Sequence, residues 1–208
     1  MKYILLIGFT SLLFVSDIFG QQLSPNKSDE QSTELISYKV DKVHSSVAFK
    51  VGHLMVSKVK GTFDDFSGSF ELSKSGTPVS MEGLVSVKSV NTRNEKRDDH
   101  LRNSDFFDAD SYPEMKFKST SIKSNGDRLL VNGNLTLRGV TRPLTLTGSM
   151  TSPVTAWGKT LFGVSLGGTL NRENFGMTWN KLLEAGGVVV GKEVELDLEF
   201  ELIQQKSL

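Results

Sequence analysis

The stretch EVELDLEFEL, residues 193–202, alternates acidic and apolar side chains without exception. Successive side chains of a β-strand point to opposite faces, so this pattern predicts a strand with one wet and one buried face. The apolar positions are Val194, Leu196, Leu198, Phe200 and Leu202. The same two-residue period recurs from residue 38 onwards in shorter runs separated by turn signals such as Asn125-Gly126. The chain is therefore predicted to be all-β and antiparallel, as a sandwich or a closed barrel.

The period fixes which face of each strand is buried but not what the interior contains. A small barrel either fills with its own side chains or holds one apolar ligand. Residues 56–63 and 66–72 are predicted to pair as short strands joined by a turn at Asp64-Asp65. Gly133 shares the inward phase of Leu129 to Leu137, so a large residue at that position is predicted to fill the interior.

Composition excludes several classes of function. The 208 residues carry 24 Lys and Arg against 24 Asp and Glu, so the chain is formally neutral and is not expected to bind nucleic acid. The absence of cysteine excludes disulfides, thiolate metal sites and a lipid-modified N-terminal Cys.

The N-terminus predicts export. Lys2 precedes an apolar run, residues 3–15, which is short for a bilayer span and is followed by Gly20. We interpret residues 1–20 as a signal peptide, with a retained anchor as the alternative. Polar residues 21–37 are expected to form a flexible leader before a barrel at 38–203. The mature chain is then expected to be periplasmic or secreted, without a transmembrane span.

Residues 91–113 differ from the rest of the chain because they are dense in charge and contain the pair Phe106-Phe107. Thr92 and Glu95 fit a T-x-x-E capping box, which predicts a helix over residues 93–102. Arg97, His100 and Leu101 then share one face. This helix is either a solvated surface element or a polar lid over the mouth of a barrel, with the two phenylalanines pointing inward.

No constellation in the sequence predicts catalysis, a cofactor or a metal site. His44, His53 and His100 lack a metal-ligand spacing, and residues nine apart on a regular strand lie on opposite faces. We interpret these histidines as structural. There is no G-x-S-x-G segment, and the adjacent acids Asp98-Asp99 diverge on a helix.

Six segments in order resemble one family. They are VDKVHSSVAFKVGHL (40–54), VKGTFDDFSGSF (59–70), RDDHLRNSDFFDADSYPEMKF (97–117), LTLRGVTRPLTL (135–146), NRENFGM (171–177) and GGVVVGKEVELDLEFEL (186–202). Together they resemble the YceI-like, polyisoprenoid-binding proteins of bacterial periplasms. Asn171 and Asn174 stand where that family often has acidic residues, so the resemblance does not imply a salt bridge to Arg172.

The resemblance implies an extended lipocalin-like antiparallel barrel with one or two short helices and an apolar tunnel. Its implied ligand is a long-chain isoprenoid, a quinone-like molecule or a fatty amphiphile, bound without catalysis. The alternative is a structural or stress-response module with a filled core; a homodimer is left open. The residues expected to contact the ligand are Arg97, His100, Phe106, Phe107, Arg172, Phe175, Trp179, Phe49, Phe63, Leu84, Phe117 and Leu146. Arg97 has a competing interpretation, in which it only holds the helix in place.

Overall fold

The computed structural model describes residues 34–184 and 186–206. The predicted signal peptide and residues 21–33 of the predicted leader lie outside this part of the chain. The first strand begins at Leu35, three residues before the predicted start of the barrel. No described helix is both long enough and apolar enough to cross a bilayer.

The described chain contains eleven strands and one α-helix. The strands are β1 (Leu35–His53), β2 (Ser57–Phe63), β3 (Phe66–Ser73), β4 (Pro78–Ser86), β5 (Val90–Asn91), β6 (Glu114–Asn125), β7 (Arg128–Leu137), β8 (Val140–Met150), β9 (Val154–Ala156), β10 (Lys159–Asn171) and β11 (Val190–Gln204), and the helix is α1 (Glu95–Arg102). Two short 3-10 helices, Val87–Ser89 and Arg172–Phe175, interrupt the strand order. All strand pairings are antiparallel.

Eight strands close a barrel in the order β1-β11-β10-β8-β7-β6-β4-β3 and back to β1. The last strand, β11, closes it by pairing with β1 from Tyr38↔Gln204 to His53↔Val190. Closure gives each of these eight strands a neighbour on both sides, which reduces the exposed sheet edge, while β2 and β5 extend the sheet from β1 outside the ring. The prediction of an all-β, lipocalin-like barrel is confirmed.

The predicted hairpin at Asp64-Asp65 is wrong. Strands β2 and β3 do not pair with each other; both pair with β1, β2 with its end and β3 with its beginning. The two strands follow each other along β1 in the same direction, and the chain bends between them at Asp64 and Asp65. Asp64 accepts hydrogen bonds from Thr62 Oγ1 at 2.8 Å and Asn91 Nδ2 at 2.8 Å. Its carboxylate therefore stabilises a bend in the chain and not a hairpin turn.

The barrel interior divides into two regions. In the first, which we call the packed half, the inward side chains are Tyr38, Phe70, Leu72, Leu129, Val131, Phe162, Val164, Leu166 and Leu202, each at most 4% exposed. Its aromatic rings meet edge to face, Tyr38 on Phe162 at 4.8 Å and Phe70 on Phe162 at 5.6 Å between centroids. Such close packing leaves little room for a ligand, since the space beside Phe70 and Leu202 measures only about 350 Å³ including open solvent.

Gly133 faces the interior as predicted, but it cannot accept a side chain. A Cβ there would overlap the Phe117 ring and approach the Lys118 carbonyl oxygen to 2.6 Å. The ring of Phe117 lies against the bare backbone of Gly133, so a larger residue would displace a strand rather than fill space. Gly83 on β4 faces open space instead, since no atom lies within 4 Å of the position that a Cβ would take.

Helix α1 begins differently from the prediction. Its N-cap is Asn94, whose side chain accepts a hydrogen bond from Arg97 N at 3.0 Å, and not Thr92. Thr92 is buried and donates from its backbone N and its Oγ1 to Asp98 Oδ1, at 2.9 and 2.5 Å. The T-x-x-E capping box is therefore wrong, because the helix has its N-cap two residues later and Thr92 Oγ1, the acceptor that the box would have used, accepts from Arg97 Nε at 2.7 Å.

Candidate functional site

The second interior region, which we call the hollow half, contains a cavity. It is lined by Val47, Ala48, Phe49, Val51, Phe63, Met81, Gly83, Val85, Leu101, Phe106, Phe107, Met115, Phe117, Leu135, Leu137, Leu144, Leu146, Leu170, Arg172, Met177, Val190, Val194, Leu196, Leu198 and Phe200. The empty space between them measures about 1130 Å³, including solvent where the cavity opens. Every lining side chain except Arg172 is apolar.

The charged residue of the cavity is fixed by local structure. Arg172 opens the 3-10 helix Arg172–Phe175, whose N-cap Asn171 accepts a hydrogen bond from Glu173 N at 2.9 Å. Gly176, at φ 79°, ends this helix in the left-handed conformation that glycine adopts without steric cost. The tight turn directs the Arg172 side chain back towards β11.

The Arg172 guanidinium is held by backbone carbonyls and not by a carboxylate. Its Nε donates to Gly191 O at 2.8 Å, Nη2 to Val190 O at 3.4 Å and Nη1 to Met177 O. The residue is only 3% exposed, and burial lowers the pKa of its guanidinium while the nearby Glu173 carboxylate opposes that shift. Within the described residues no carboxylate oxygen lies within 4.0 Å of Arg172.

Three of the five N–H groups of Arg172 thus have a partner, which leaves two for a ligand or water. A buried cation without a counter-ion is energetically unfavourable, and an anionic or strongly accepting group would offset that cost. Arg172 therefore makes one point of the otherwise apolar cavity attractive to oxygen acceptors.

Helix α1 and the segment after it cover the cavity. Leu101, Phe106 and Phe107 line it from this side. The Phe107 ring meets Phe63 of β2 edge to face at 5.6 Å, which joins the segment to the barrel wall. The expectation that both phenylalanines point inward agrees with this placement, because Phe106 is buried and both side chains face the cavity.

Seven of the twelve residues expected from the sequence to contact a ligand line the cavity. They are Phe49, Phe63, Phe106, Phe107, Phe117, Leu146 and Arg172. Five are placed elsewhere. Leu84 is 36% exposed on the outer face of β4, because its neighbours Gly83 and Val85 take the inward positions. Phe175 is buried in the core beside the cavity and does not line it.

Arg97 lies outside the cavity and has a structural partner. Its Nε donates to Thr92 Oγ1 at 2.7 Å and its Nη2 to Thr92 O at 2.8 Å. Thr92 in turn binds Asp98, so the three residues fasten the first turn of α1 to the end of β5. This geometry favours the competing interpretation, in which Arg97 holds the helix in place.

His100 and Trp179 form a second layer behind Phe106. The His100 ring meets Phe106 at 5.0 Å and Trp179 at 4.9 Å, both edge to face, and Phe106 meets Trp179 at 5.3 Å. His100 Nε2 also lies 2.9 Å from Asp105 Oδ2. These residues fix the position of Phe106 and do not face the cavity themselves.

Sequence reasoning missed most of the aliphatic lining and one positioning residue. The alternation of β11 placed Val194, Leu196, Leu198 and Phe200 on the buried face, and extending the list of expected contacts along this inward phase would have found all four. Arg138 had no such signal. From the β7–β8 turn it donates to Ser104 O at 2.8 Å and to Gly176 O, which ties the segment after α1 to the loop that carries Arg172.

One group of side chains has the geometry of a cation site. Asp41, His44 and Glu201 each offer a ligand atom, and these atoms lie within 4.8 Å of one another. A register shift between Asp41 and Ser46 brings them together, which a regular strand would not do. His44 Nδ1 already lies 3.0 Å from Asp41 Oδ2, and the His44 side chain is 62% exposed, so an ion pair alone accounts for the group. The prediction that the chain needs no metal stays a prediction.

Comparison with known proteins agrees with this architecture. The YceI-like domain family matches residues 38–202. UPF0312 protein SA2479 of Staphylococcus aureus strain N315 is 37% identical over 172 residues, covering 80% of this chain and 97% of that protein. The crystal structure of the Campylobacter jejuni YCEI protein has a TM-score of 0.64 at 30% identity, covering 81% of this chain and 97% of that one.

Two more distant structures share the fold. Burkholderia cenocepacia BcnA has a TM-score of 0.66 at 21% identity, over 80% of this chain and 99% of its own. A polyisoprenoid binding domain from Saccharophagus degradans, implicated in plant cell wall breakdown, has a TM-score of 0.58 at 16% identity, over 82% and 99%. On the family match across the barrel and the Staphylococcus relative, this chain belongs to the YceI-like domain family.

Proposed function

We propose that this protein binds one long-chain amphiphile, an isoprenoid or a quinone-like or fatty lipid, in the hollow half and carries or sequesters it without catalysis. The observation that carries the proposal is an apolar cavity with about 1130 Å³ of empty space, counting solvent at its opening, and with Arg172 as the single charged side chain among the described residues of its lining. A related fold named as a polyisoprenoid binding domain supports the ligand class. The alternative, a module with a filled core, would leave this space without a role.

The size of the cavity sets an upper limit on the ligand. The enclosed space is smaller than 1130 Å³, because that figure includes solvent at the opening, so at about 30 Å³ per heavy atom a chain of roughly 40 heavy atoms is the most it could hold. At about 0.3 kcal/mol per heavy atom such a ligand would gain about 12 kcal/mol, which corresponds to roughly nanomolar affinity. Longer chains would have to leave part of their length outside.

Arg172 supplies the preference for a head group. A hydrogen bond to a charged group contributes about 1.5–3 kcal/mol, which is roughly 10- to 150-fold in affinity. We therefore expect a ligand with a phosphate, carboxylate or carbonyl oxygen at this end to be favoured over the same chain ending in a hydroxyl. The apolar wall sets most of the affinity, and Arg172 sets the orientation.

The composition of the lining supports a role in binding. General acid–base catalysis needs titratable groups within hydrogen-bond reach of the substrate. Among the described residues that line the cavity, only the guanidinium of Arg172 is ionisable, and it does not lose its proton near neutral pH.

Export is part of the same proposal. Residues 1–20 have the pattern of a signal peptide, so we propose that the mature protein begins near Gln21 and acts in the periplasm or outside the cell. Intact-mass analysis of protein from the periplasmic fraction checks this. A mass that includes Met1 would instead favour a retained anchor.

Lipid extraction tests the proposed function. Protein purified without detergent is extracted with organic solvent, and mass spectrometry is expected to find one amphiphile in about stoichiometric amount. Protein stripped of lipid is then titrated with a polyprenol and with the polyprenyl phosphate of equal chain length, and the phosphate is expected to bind at least about tenfold more tightly. Empty extracts together with no uptake of either lipid would refute the proposal. Equal binding of the two lipids would refute only the role of Arg172.

A further inference from the structure

Two loops beyond the hollow half expose large apolar side chains side by side. They are the β1–β2 turn, with Leu54, Met55 and Val56, and the segment before β11, with Leu182. We call these four residues the apolar tip. Met55 is 75% exposed, Val56 84% and Leu182 86%. The two loops touch, since Leu54 N donates to Val189 O at 2.9 Å and the Met55 sulfur lies against Gly187.

The backbone of the β1–β2 turn makes these residues unexpected. Val56 N donates to His53 O at 3.2 Å, and both central residues of this turn, Leu54 at φ 52° and Met55 at φ 61°, have positive φ. Turns of that shape favour Asn-Gly, because a Cβ is crowded in the left-handed region. A sequence selected only for folding would not place Leu and Met there.

Two other turns of the described chain show the usual solution. Arg138-Gly139 has φ values of 50° and 71°, and Trp157-Gly158 has 49° and 74°. Both carry glycine at the second position, where the β1–β2 turn carries Met55. The β1–β2 turn thus combines backbone strain with solvent-exposed apolar surface, and both are unfavourable for an isolated soluble molecule.

The tip adjoins the cavity. Val51 and Val190 line the cavity, and Val190 pairs with His53, the last residue before the turn. Arg172 donates to the carbonyls of Val190 and Gly191 at the same place. The packed half fills the other end of the barrel. A surface touched by the tip would therefore face the cavity end of the molecule.

We propose that the apolar tip inserts into the surface of a lipid bilayer, so that an amphiphile can pass between the membrane and the cavity. The inference rests on the proposed function for its purpose, but membrane docking can be tested without any ligand. Each of the four apolar side chains is smaller than the smallest aromatic residue, which buries about 150 Å², so together they bury less than about 600 Å² and fall short of the about 800 Å² per partner of a stable protein interface. Insertion into lipid needs no such complementary area.

Charge does not explain the docking. Lys58 is paired with Glu195 and Lys192 with Glu173, and Lys181, beside Leu182, is followed by Glu184, so the charges near the tip nearly cancel. Insertion of side chains should therefore depend little on anionic lipid or on salt, unlike binding by a polybasic surface.

The test compares two variants that install the same turn at opposite ends of the barrel. In the double variant Leu54→Asn with Met55→Gly, the strained apolar turn becomes Asn-Gly. The control is Trp157→Asn. Trp157 is 96% exposed and precedes Gly158, so this substitution also gives an Asn-Gly turn. The protein is used in its exported form, and its intact mass must show that apolar residues 3–15 are absent. Its binding is measured by flotation with phosphatidylcholine vesicles and with vesicles that contain phosphatidylglycerol.

The fraction of wild-type protein that floats is expected to agree to within about twofold between the two kinds of vesicle, and to stay the same in high salt. The double variant is expected to lose at least about tenfold of this binding, because removal of one large aliphatic group from lipid is worth roughly that factor. Its melting temperature should equal or exceed that of wild type, since the strain is gone. Trp157→Asn should bind as wild type does.

Leu182→Gln provides a second variant if the double variant folds poorly, with a several-fold loss expected. Lipid uptake from detergent solution should be unchanged in all variants, which separates failure of docking from failure of the cavity to bind. No flotation of wild type, equal flotation of wild type and tip variants, or loss in Trp157→Asn alone would overturn the proposal. Dimers that dissociate in the tip variants, without vesicle binding, would instead assign the tip to a second copy of this chain.

Discussion

The two halves of the barrel interior are built from the same strands and differ in what they enclose. On β11, Leu202 lies in the packed half at 2% exposure, while Leu196, six residues earlier on the same face, lines the cavity. On β10, Phe162 fills the packed half and Leu170 faces the cavity. The difference shows how one barrel can separate stability from binding, because side chains that pack on each other hold the fold and those left apart form the site.

The largest expected effect tests this division of stability. Phe70→Ala removes a ring that packs on Phe162, and should lower the free energy of unfolding by about 3–5 kcal/mol. Phe107→Ala removes a ring that faces the cavity on one side and should cost less than half as much. Urea unfolding of both variants measures the difference. Equal losses would mean that the hollow half contributes to stability as much as the packed half.

Blocking the cavity should separate binding from folding. A side chain at Gly83 would enter open space, so Gly83→Phe is expected to reduce bound amphiphile at least about tenfold while the free energy of unfolding changes by about 1 kcal/mol or less. Leu84→Phe adds a ring at the next residue, on the outer face, and serves as the matched control. Mass spectrometry of lipid extracts gives occupancy. Full occupancy in Gly83→Phe would place the ligand elsewhere.

Arg97 offers a test of the covering helix. Arg97→Ala leaves Thr92 without two hydrogen bonds and should lower the free energy of unfolding by about 1–3 kcal/mol, with unchanged lipid occupancy. Lys96→Ala, at an exposed position of the same helix, should stay within about 0.5 kcal/mol of wild type. Reduced occupancy in stably folded Arg97→Ala would return this residue to the binding site.

The smallest effect concerns pH. The hydrogen bond with His44 lowers the pKa of Asp41, with help from Val43 N; the same hydrogen bond, together with the Glu201 charge, raises the pKa of His44. A raised histidine pKa gives stability that is complete below about 6.5 and is lost as pH rises through the folded value. A lowered aspartate pKa gives stability that is complete above about 4 and is lost as pH falls through the folded value.

The pair should therefore stabilise the protein most between about pH 4 and 6.5, and only slightly because it is exposed. The difference in melting temperature between wild type and His44→Gln is expected to be largest near pH 5 and to shrink by pH 9. A difference that does not depend on pH would show that the pair contributes nothing. The same melting experiment with equimolar zinc checks the prediction that no metal is needed, for which no stabilisation is expected.

The sequence predicted the strands well because alternation is a local consequence of strand geometry. Residues 193–202 and the Asn125-Gly126 turn gave the correct elements without knowledge of any partner. The hairpin expected at Asp64-Asp65 failed because a bend and a reversal have similar local sequences, and only the pairing of β2 and β3 with β1 distinguishes them. The capping box failed for a related reason, since the Thr92 oxygen accepts from the Arg97 side chain instead of from the backbone of the first turn.

For the candidate site, the sequence identified residues better than their roles. Arg97 and His100 share a helix face, but Thr92 holds one and Phe106 and Trp179 surround the other, away from the cavity. Arg172, for which the resemblance implied no salt bridge, is the charged residue that lines the cavity. Periodicity could not decide which of Arg97, His100 and Arg172 reaches the cavity. It shows which face of a helix or strand a side chain lies on, but not how deep in the interior that side chain is.

By itself, the sequence determined an antiparallel all-β chain, the inward phase of most strands and, through its resemblance, the family. These follow from local geometry and from residue order. The tertiary structure alone decided that the inward rings of Phe70 and Phe162 meet while those of Phe49 and Phe117 leave a cavity, and that Arg172 binds backbone carbonyls instead of a carboxylate. Those outcomes depend on distances between strands far apart in the chain, which set whether two apolar side chains touch or leave space for a ligand.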